Sequence, residues 1–478
     1  MRSRPFQDAT AALQRAVNGW RHAADQPLSA GVKIPPHQRF TLPNGIKIIL
    51  VPRHDVPLIG FEAVLRGGAR LDPGGHAGVA SLTAELLTHG AGDRDAFGFA
   101  DAVEGAGGSL DVEAHSEAIV LHGQFLARDR ELMVALLADA VVRPHFEAAE
   151  LAKLRSRRVE FIKAAKDSEP QSLLSTYGRA LMFAGHPFGR PVGGSESSLS
   201  AISREQVMTF YEEQFGADRL ILVFAGDFDA VWLKRSLIRA FASWRRAPVP
   251  LAPLAAARRA PGRRVLLVDA PGSTQTYFWI ANLGVARSYP HRAALEITNT
   301  AFGASFGSML MQALRVKTGL TYSANSSFRR GSVAGEFAMT SFTQTASTVR
   351  AIDIALHTLD DLKQSGVGEA AIRTSRSYIL GQYPLGFETA ADWAAALADL
   401  ELYGLPEGQI ADFGAELMRV DEAACRQVVA SAFPDSADVD LVLIGDAARI
   451  RQQVQKYGSV AEKPLEQPDF EPGAPPTL

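Results

Sequence analysis

An internal repeat constrains the fold of this chain more than any other feature of its sequence. The segment DRLILVFAGDFD at 218–229 is echoed by DVDLVLIGDAAR at 438–449. Both are apolar runs typical of a buried strand that ends in Gly-Asp, and Gly445 follows Gly226 by 219 residues. Because that interval is the size of a whole domain, the repeat predicts two tandem domains of one fold.

The order of predicted elements repeats as well. Each half reads as two strands, two helices and two more strands, followed by a run of helices and a last strand. In the first half we predict strands at 41–52, 57–66, 109–115, 118–126 and 219–225, and helices at 77–90 and 95–107. In the second half we predict strands at 263–269, 275–283, 320–328 and 333–341, and helices at 289–302 and 306–317. Strands joined by short turns and followed by several helices indicate the α+β class, with an antiparallel sheet and several helices in each domain.

The remaining segments have the composition of connections. Residues 246–264, RAPVPLAPLAAARRAPGRR, are rich in Pro, Ala and Arg and have neither a helical nor a strand period, which is typical of a linker. We therefore predict five segments, namely an N-terminal arm at 1–37, a first domain at 38–245, the linker at 246–264, a second domain at 265–460 and an extended tail at 461–478.

Composition excludes several classes of protein. With 47% hydrophobic and 21% charged residues, the chain is neither disordered nor a coiled coil. Its 49 Lys and Arg against 52 Asp and Glu argue against a nucleic-acid partner. The single cysteine, Cys425, excludes an internal disulfide and any multi-cysteine metal site. We expect no membrane span, and the compartment is left open: cytoplasmic as the sequence stands, periplasmic if a signal peptide was removed.

The segment GGARLDPGGHAGVASLTAELLTHG at 67–90 carries most information about function. It reads as an amphipathic helix after a glycine-rich turn, with Ser81 and Glu85 four residues apart on one face and Ala84 beside them. With LPNGIKIILVPRHDVPLIGFEAVLRGGARLD before it and GGSLDVEAHSEAIVLHG after it, the chain resembles the pitrilysin/insulinase family of zinc metallopeptidases, the inverzincins. Within that family, the chain is similar to the branch that resembles mitochondrial processing peptidase. GHPFGRPVGG, VVRPHF and ALRVKTGLTYSANSSF extend the resemblance to nearly the whole chain outside arm, linker and tail.

The resemblance implies a zinc site that has lost its chemistry. Active members carry His-x-x-Glu-His, in which both His bind zinc and the Glu activates the metal-bound water; a Glu about 75 residues further on is the third ligand. Here the resemblance places Ser81 at the first His, Ala84 at the base and Glu85 at the second His, with Phe161, or Glu160 one residue earlier, at the third ligand. It therefore implies no zinc in this chain.

A rearranged zinc site is the alternative. Glu85 and His89 are four residues apart on one predicted helix, and His76 is near in sequence. These three side chains would make the chain a self-sufficient peptidase with different ligands. His89 is also explained as a histidine at a helix end, where the helix dipole favours its charge.

The second half keeps a different pair. Arg315 and Tyr322 lie seven residues apart in LRVKTGLTY. In the family, an Arg and a Tyr at this spacing reach toward the zinc site and hold the substrate carbonyl, where a guanidinium and a phenol stabilise the oxyanion. Otherwise Arg315 is a surface residue at a helix end and Tyr322 packs on a strand. The preceding loop, with Gly303, Ala304, Ser305 and Gly307, is either a simple helix–helix turn or a counterpart of the family's glycine-rich substrate loop.

Together these features imply a subunit that is inactive alone. In the processing-peptidase-like branch, two chains face each other as a clam shell, and one supplies zinc while the other supplies the Arg/Tyr pair. The resemblance therefore predicts the zinc-less, non-catalytic subunit of a heterodimeric metalloendopeptidase. Its partners would be a zinc-bearing homologous subunit and peptide substrates. The rival from another class is a structural subunit without a proteolytic role, like the core proteins of a respiratory complex.

Overall fold

The first half of the chain is built on a six-stranded sheet. The computed structural model describes residues 31–473. The sheet has the strand order β1-β2-β6-β3-β5-β4, and its pairs are antiparallel except β2 with β6. Its strands are β1 (Gln38–Thr41), β2 (Lys47–Pro52), β3 (Leu58–Arg66), β4 (Ser109–Ala114), β5 (Ala118–Leu126) and β6 (Leu220–Gly226).

The second half repeats this architecture. Its sheet has the order β12-β7-β11-β8-β10-β9, and β7 is parallel to both β11 and β12. Its strands are β7 (Arg264–Asp269), β8 (Gln275–Gly284), β9 (Ala324–Arg330), β10 (Gly335–Gln344), β11 (Asp440–Gly445) and β12 (Ser459–Pro464). The strands of the Gly-Asp repeat, β6 and β11, take equivalent places, each between one parallel and one antiparallel neighbour. This confirms the predicted α+β fold with two homologous halves.

Helices cover both faces of each sheet. Those of the first half are α1 (Val79–Leu86), α2 (Ala96–Gly105), α3 (Arg130–Val142), α4 (Ala148–Ser168), α5 (Leu174–Met182), α6 (Glu196–Ala201), α7 (Arg204–Gln214) and α8 (Ala230–Phe241). Those of the second half are α9 (Arg292–Asn299), α10 (Met309–Met311), α11 (Thr348–Ser365), α12 (Glu369–Gln382), α13 (Ala390–Tyr403), α14 (Gly408–Ala411), α15 (Phe413–Arg419), α16 (Glu422–Ala432) and α17 (Ala447–Val454). Within residues 31–473, none of the helices is both long and apolar enough to cross a membrane.

The two halves exchange one helix each. α5, from the first half, packs its buried Tyr177 against β8 of the second sheet, where a Cβ on Gly178 would lie 2.7 Å from the Trp279 ring. α13, from the second half, packs Trp393 and Leu397 on the first sheet. Each sheet is therefore covered on one face by its own half and on the other by a helix of the other half.

The structure differs from the predicted elements where turns interrupt them. The predicted strand 41–52 is two strands, because a turn with Gly45 at φ 104° separates β1 from β2. The predicted helices 289–302 and 306–317 are shorter α-helices, α9 and α10, that run on into π-helical turns at Thr300–Ala304 and Gln312–Val316.

The ends of the chain add one strand that the sequence did not predict. Residues 1–30 of the predicted arm lie outside the described residues, and 246–263 contain neither helix nor strand. The tail predicted from residue 461 begins inside β12, which pairs with β7, so the second sheet runs past residue 460. Beyond it, Phe470 is buried with its ring centroid 5.0 Å from that of Tyr177.

Candidate functional site

The helix that carries the expected zinc motif is fixed at its N-terminus by a buried carboxylate. α1 starts after Gly78, whose φ is 99°. The carboxylate of Asp72 accepts hydrogen bonds from the backbone N–H groups of Gly78 at 2.7 Å and Ala80 at 2.9 Å. Burial raises the pKa of Asp72 to about 7, although these two hydrogen bonds favour the charged form. The start of α1 is therefore held by its own preceding loop.

Two arginines hold the side chain at the second ligand position. Ser81 and Ala84 are buried in α1. Glu85 reaches across to α4, where Arg158 donates to its Oε2 from Nε at 2.9 Å and from Nη2 at 2.6 Å. Arg157 donates to the other oxygen, Oε1. Both carboxylate oxygens of Glu85 are thus engaged by guanidinium groups.

Neither of the two residues proposed for the third ligand position places a carboxylate beside Glu85. Phe161 has an apolar side chain that is 75% exposed, on the same helix as both arginines. Glu160 pairs with Lys163 at 2.9 Å and is itself 69% exposed.

The alternative ligand set does not converge either. His89 lies at the end of α1 with its Nδ1 2.8 Å from the backbone oxygen of Glu85, not from the carboxylate. His76 contacts the side chain of Gln206. Among residues 31–473, no group of three or more His, Cys, Asp or Glu side chains is arranged to hold a metal ion. A serine, an alanine and a carboxylate neutralised by two arginines do not fit the donor set of a catalytic zinc.

A cavity of about 870 Å³ lies beside these positions, between the two halves. Arg158 and Phe161 line it from α4, and the β9–β10 hairpin lines it from the second half. Glu62 also lines the cavity. Burial and, secondarily, the charge of Glu113 raise the pKa of Glu62 to about 7. Arg179 lies 3.4 Å from Glu336, the pKa of which is also raised by burial. The cavity wall therefore carries ionisable side chains, and it lies next to a position where the family's catalytic groups are missing.

The structure brings Arg315 and Tyr322 together. The Arg315 guanidinium carbon lies 4.4 Å from the centroid of the Tyr322 ring, a cation–π contact. Tyr322 is 73% exposed, so it does not pack in the core. Among residues 31–473, no carboxylate lies within ion-pair distance of Arg315.

Sequence reasoning missed a third member of this group. The ring of Phe306 lies on the same guanidinium, with its centroid 4.9 Å from the Arg315 carbon, and its side chain is 66% exposed. The available signal was a large aromatic residue between Ser305 and Gly307, in a loop otherwise made of small residues.

Comparisons with known proteins agree with this fold. Residues 62–196 match the model of the insulinase family, peptidase family M16, and residues 201–378 match the model of the peptidase M16 inactive domain, so the two regions span more than half of the chain. A Mycobacterium leprae protein named an uncharacterized zinc protease is 27% identical over 398 residues, which are 82% of this chain and 88% of that protein. A Helicobacter pylori protein named a non-peptidase homolog is 22% identical over 76% of this chain and 83% of its own.

Solved structures share the fold. A peptidase M16 inactive domain from Pseudomonas fluorescens superposes with a TM-score of 0.79 at 22% identity, over 90% of this chain and 100% of that one. A protease from Helicobacter pylori gives 0.78 at 17% identity, over 86% of this chain and 100% of that one. This chain belongs to the M16 (insulinase) peptidase family, as a member that lacks the zinc motif.

Proposed function

We propose that this chain is the non-catalytic subunit of a heterodimeric zinc metalloendopeptidase and supplies Arg315 and Tyr322 in trans at its partner's zinc site. One observation carries the proposal: a half-buried arginine without a carboxylate partner among residues 31–473 is stacked on an exposed tyrosine, while Glu85, at the chain's own second ligand position, is paired with two arginines. A guanidinium that has no acceptor among the described residues is available to a group outside the chain. The Helicobacter pylori relative, named a non-peptidase homolog, also supports a role without catalysis in this chain.

The chemistry of the pair fits peptide hydrolysis. When water adds to a peptide bond, negative charge develops on the carbonyl oxygen. The Arg315 guanidinium and the Tyr322 hydroxyl would donate hydrogen bonds to that oxygen, and each such donor is worth about 2–4 kcal/mol in a site that excludes water. The zinc ion in the partner would supply activation of the attacking water.

The test is co-expression with a homologous chain that carries His-x-x-Glu-His. Turnover of a quenched fluorescent peptide is measured for the pair and for each chain alone. We expect activity only from the pair, with Arg315→Ala and Tyr322→Phe each lowering kcat/KM on the order of 100-fold. Arg373→Ala is the control, because this arginine is exposed, lies on α12 and pairs with Glu369.

Two outcomes would contradict the proposal. Unchanged turnover in the Arg315→Ala pair would favour the structural subunit. Stoichiometric zinc in the purified chain, together with peptidase activity of the chain alone, would favour the rearranged zinc site. Comparable partner recovery with wild type and Arg315→Ala in a pull-down ensures that a loss of turnover reflects chemistry and not assembly.

A further inference from the structure

We infer that Phe306 is a positioning residue for Arg315 and sets a preference for substrates with a large apolar side chain next to the carbonyl that Arg315 holds. This inference rests on the proposed function and extends it to the class of substrate. It follows from the stacking, the anchoring and the exposure of one loop.

Two aromatic rings lie against the Arg315 guanidinium. The Phe306 and Tyr322 ring centroids lie 4.9 and 4.4 Å from its central carbon. A planar guanidinium stacked on aromatic rings keeps its N–H donors in the plane, where they point outward. Among residues 31–473, no side chain or backbone oxygen accepts a hydrogen bond from the Arg315 guanidinium. The rings therefore restrict where the guanidinium lies, and its donors remain available to a carbonyl oxygen.

The loop that carries Phe306 is anchored on both sides. Before it, the π-turn at Thr300–Ala304 lies against β9, and a Cβ on Gly303 would come within 2.3 Å of the Ser326 hydroxyl. That hydroxyl donates to Asn299 at 2.7 Å. After it, the backbone N–H of Ala324 donates to the Met311 sulfur at 3.3 Å. The contacts to β9 fix both ends of the loop, so the position of Phe306 relative to Tyr322, just before β9, is defined.

Exposure points to an apolar ligand group. Phe306, Val316 and Tyr322 are 66%, 57% and 73% exposed, although all three are large and apolar or aromatic. Covering such surface with another apolar group is favourable, because it removes both from water. A peptide whose carbonyl reaches Arg315 places the neighbouring side chain within one residue's length of this surface. An aromatic or large aliphatic side chain gains from that contact, and a small or acidic one does not.

The test uses the assembled heterodimer and a peptide series. The peptides differ only at the residues on either side of the scissile bond, which are Phe, Leu, Ala or Asp. We expect Phe306→Ala to raise KM about tenfold for the Phe and Leu peptides and to change it little for the Ala peptide, so that discrimination between them falls. Phe306→Tyr should restore the discrimination between the large and small peptides, because a phenol ring stacks in the same way.

Phe97→Ala is the matched control, because Phe97 is 80% exposed and lies on α2, away from the stack. Unchanged discrimination in Phe306→Ala, or an equal loss in Phe97→Ala, would overturn the inference. Its failure is distinguishable from failure of the proposed function. If Arg315→Ala lowers turnover while Phe306→Ala keeps discrimination, only the inference fails, whereas if Arg315→Ala has no effect, the proposed function fails with it.

Discussion

At the scale of single residues, charge complementarity explains how this chain does without a metal between α1 and α4. A carboxylate at position 85 would be left partly buried and unpaired if nothing neutralised it, which is costly. Arg157 and Arg158 supply that neutralisation and link the two helices directly. The sequence pointed to the position of Glu85. It did not show the pairing, because the arginines lie more than 70 residues away and only the tertiary fold brings them close.

The first prediction tests that link. We expect Arg158→Ala to lower the free energy of unfolding by about 1–3 kcal/mol, because the side chains of the pair are only 28% and 22% exposed and Oε2 of Glu85 loses two hydrogen bonds. Urea denaturation measures it. Lys163→Ala, which breaks the exposed Glu160 pair on the same helix, should cost less than about 0.5 kcal/mol. Equal losses in the two variants would mean that the Glu85 pair contributes nothing particular.

The second prediction concerns the pH dependence of stability through Glu62. In the fold, its pKa of about 7 exceeds the ordinary 4.5 because of burial and the nearby Glu113. Between these pH values the folded chain holds a proton that the unfolded chain has released, so the free energy of unfolding falls as the pH rises through this window. Glu62→Gln removes this dependence. We expect the stability of the variant relative to wild type to rise by roughly 2–3 kcal/mol from pH 4.5 to pH 7.5.

Urea titrations at a series of pH values measure the Glu62 effect. Glu104→Gln, at an exposed position on α2, is the control and should give a constant difference from wild type. A constant difference in Glu62→Gln as well would show that the carboxyl ionises normally inside the cavity.

At the scale of elements, the π-turns mark where tertiary contact overrides local pattern. The apolar spacing of residues 289–317 is helical, and the sequence therefore predicts two plain helices. The fold replaces parts of both with wider turns, which commonly occur at functional sites. The contact of Gly303 with Ser326 explains the first of these π-turns, at Thr300–Ala304, because only a residue without a Cβ can approach β9 so closely there.

The third prediction follows from that contact. Gly303→Ala should destabilise the chain by about 1–3 kcal/mol, because the new methyl group would lie 2.3 Å from the Ser326 hydroxyl and 2.7 Å from its backbone nitrogen. Gly307→Ala is the control in the same loop, since a Cβ there meets open space, and it should change stability by less than about 0.5 kcal/mol. Thermal unfolding by circular dichroism compares them. A neutral Gly303→Ala would show that the π-turn can move away from β9.

The same reasoning separates what a sequence can predict from what it cannot. The positions of most strands, the repeat and the family follow from patterns local to each segment, as the β6 and β11 runs show. Arg315 and Tyr322 were identified through the family resemblance, because both residue types and their spacing within one motif match it. Phe306 was not, because its importance comes from stacking on Arg315 and no local pattern records that contact.

At the scale of the whole molecule, the exchange of α5 and α13 makes the halves depend on each other. The repeat suggests two domains that could fold independently, but a helix from the other half covers one face of each sheet. Ion pairs reinforce the exchange, because Glu401 of α13 lies 3.0 Å from Arg39 and 2.5 Å from Lys47 in the first sheet. The apolar faces of α5 and α13 have an ordinary helical period, which does not specify the sheet that they cover.

The fourth prediction is that the chain unfolds as one cooperative unit. Leu397, fully buried on α13, belongs to the second half by sequence but to the core of the first sheet by contact. Leu397→Ala should lower the free energy of unfolding by about 2–5 kcal/mol, the usual cost of a cavity in a core. If the halves are coupled, hydrogen exchange should accelerate by the same factor in β6 and in β11, although only β6 packs against the position of the removed Leu397 side chain. Leu385→Ala, at a 54% exposed position, should accelerate neither strand. Faster exchange confined to β6 would show that the halves unfold separately, and that the exchanged helices join two domains without making them one folding unit.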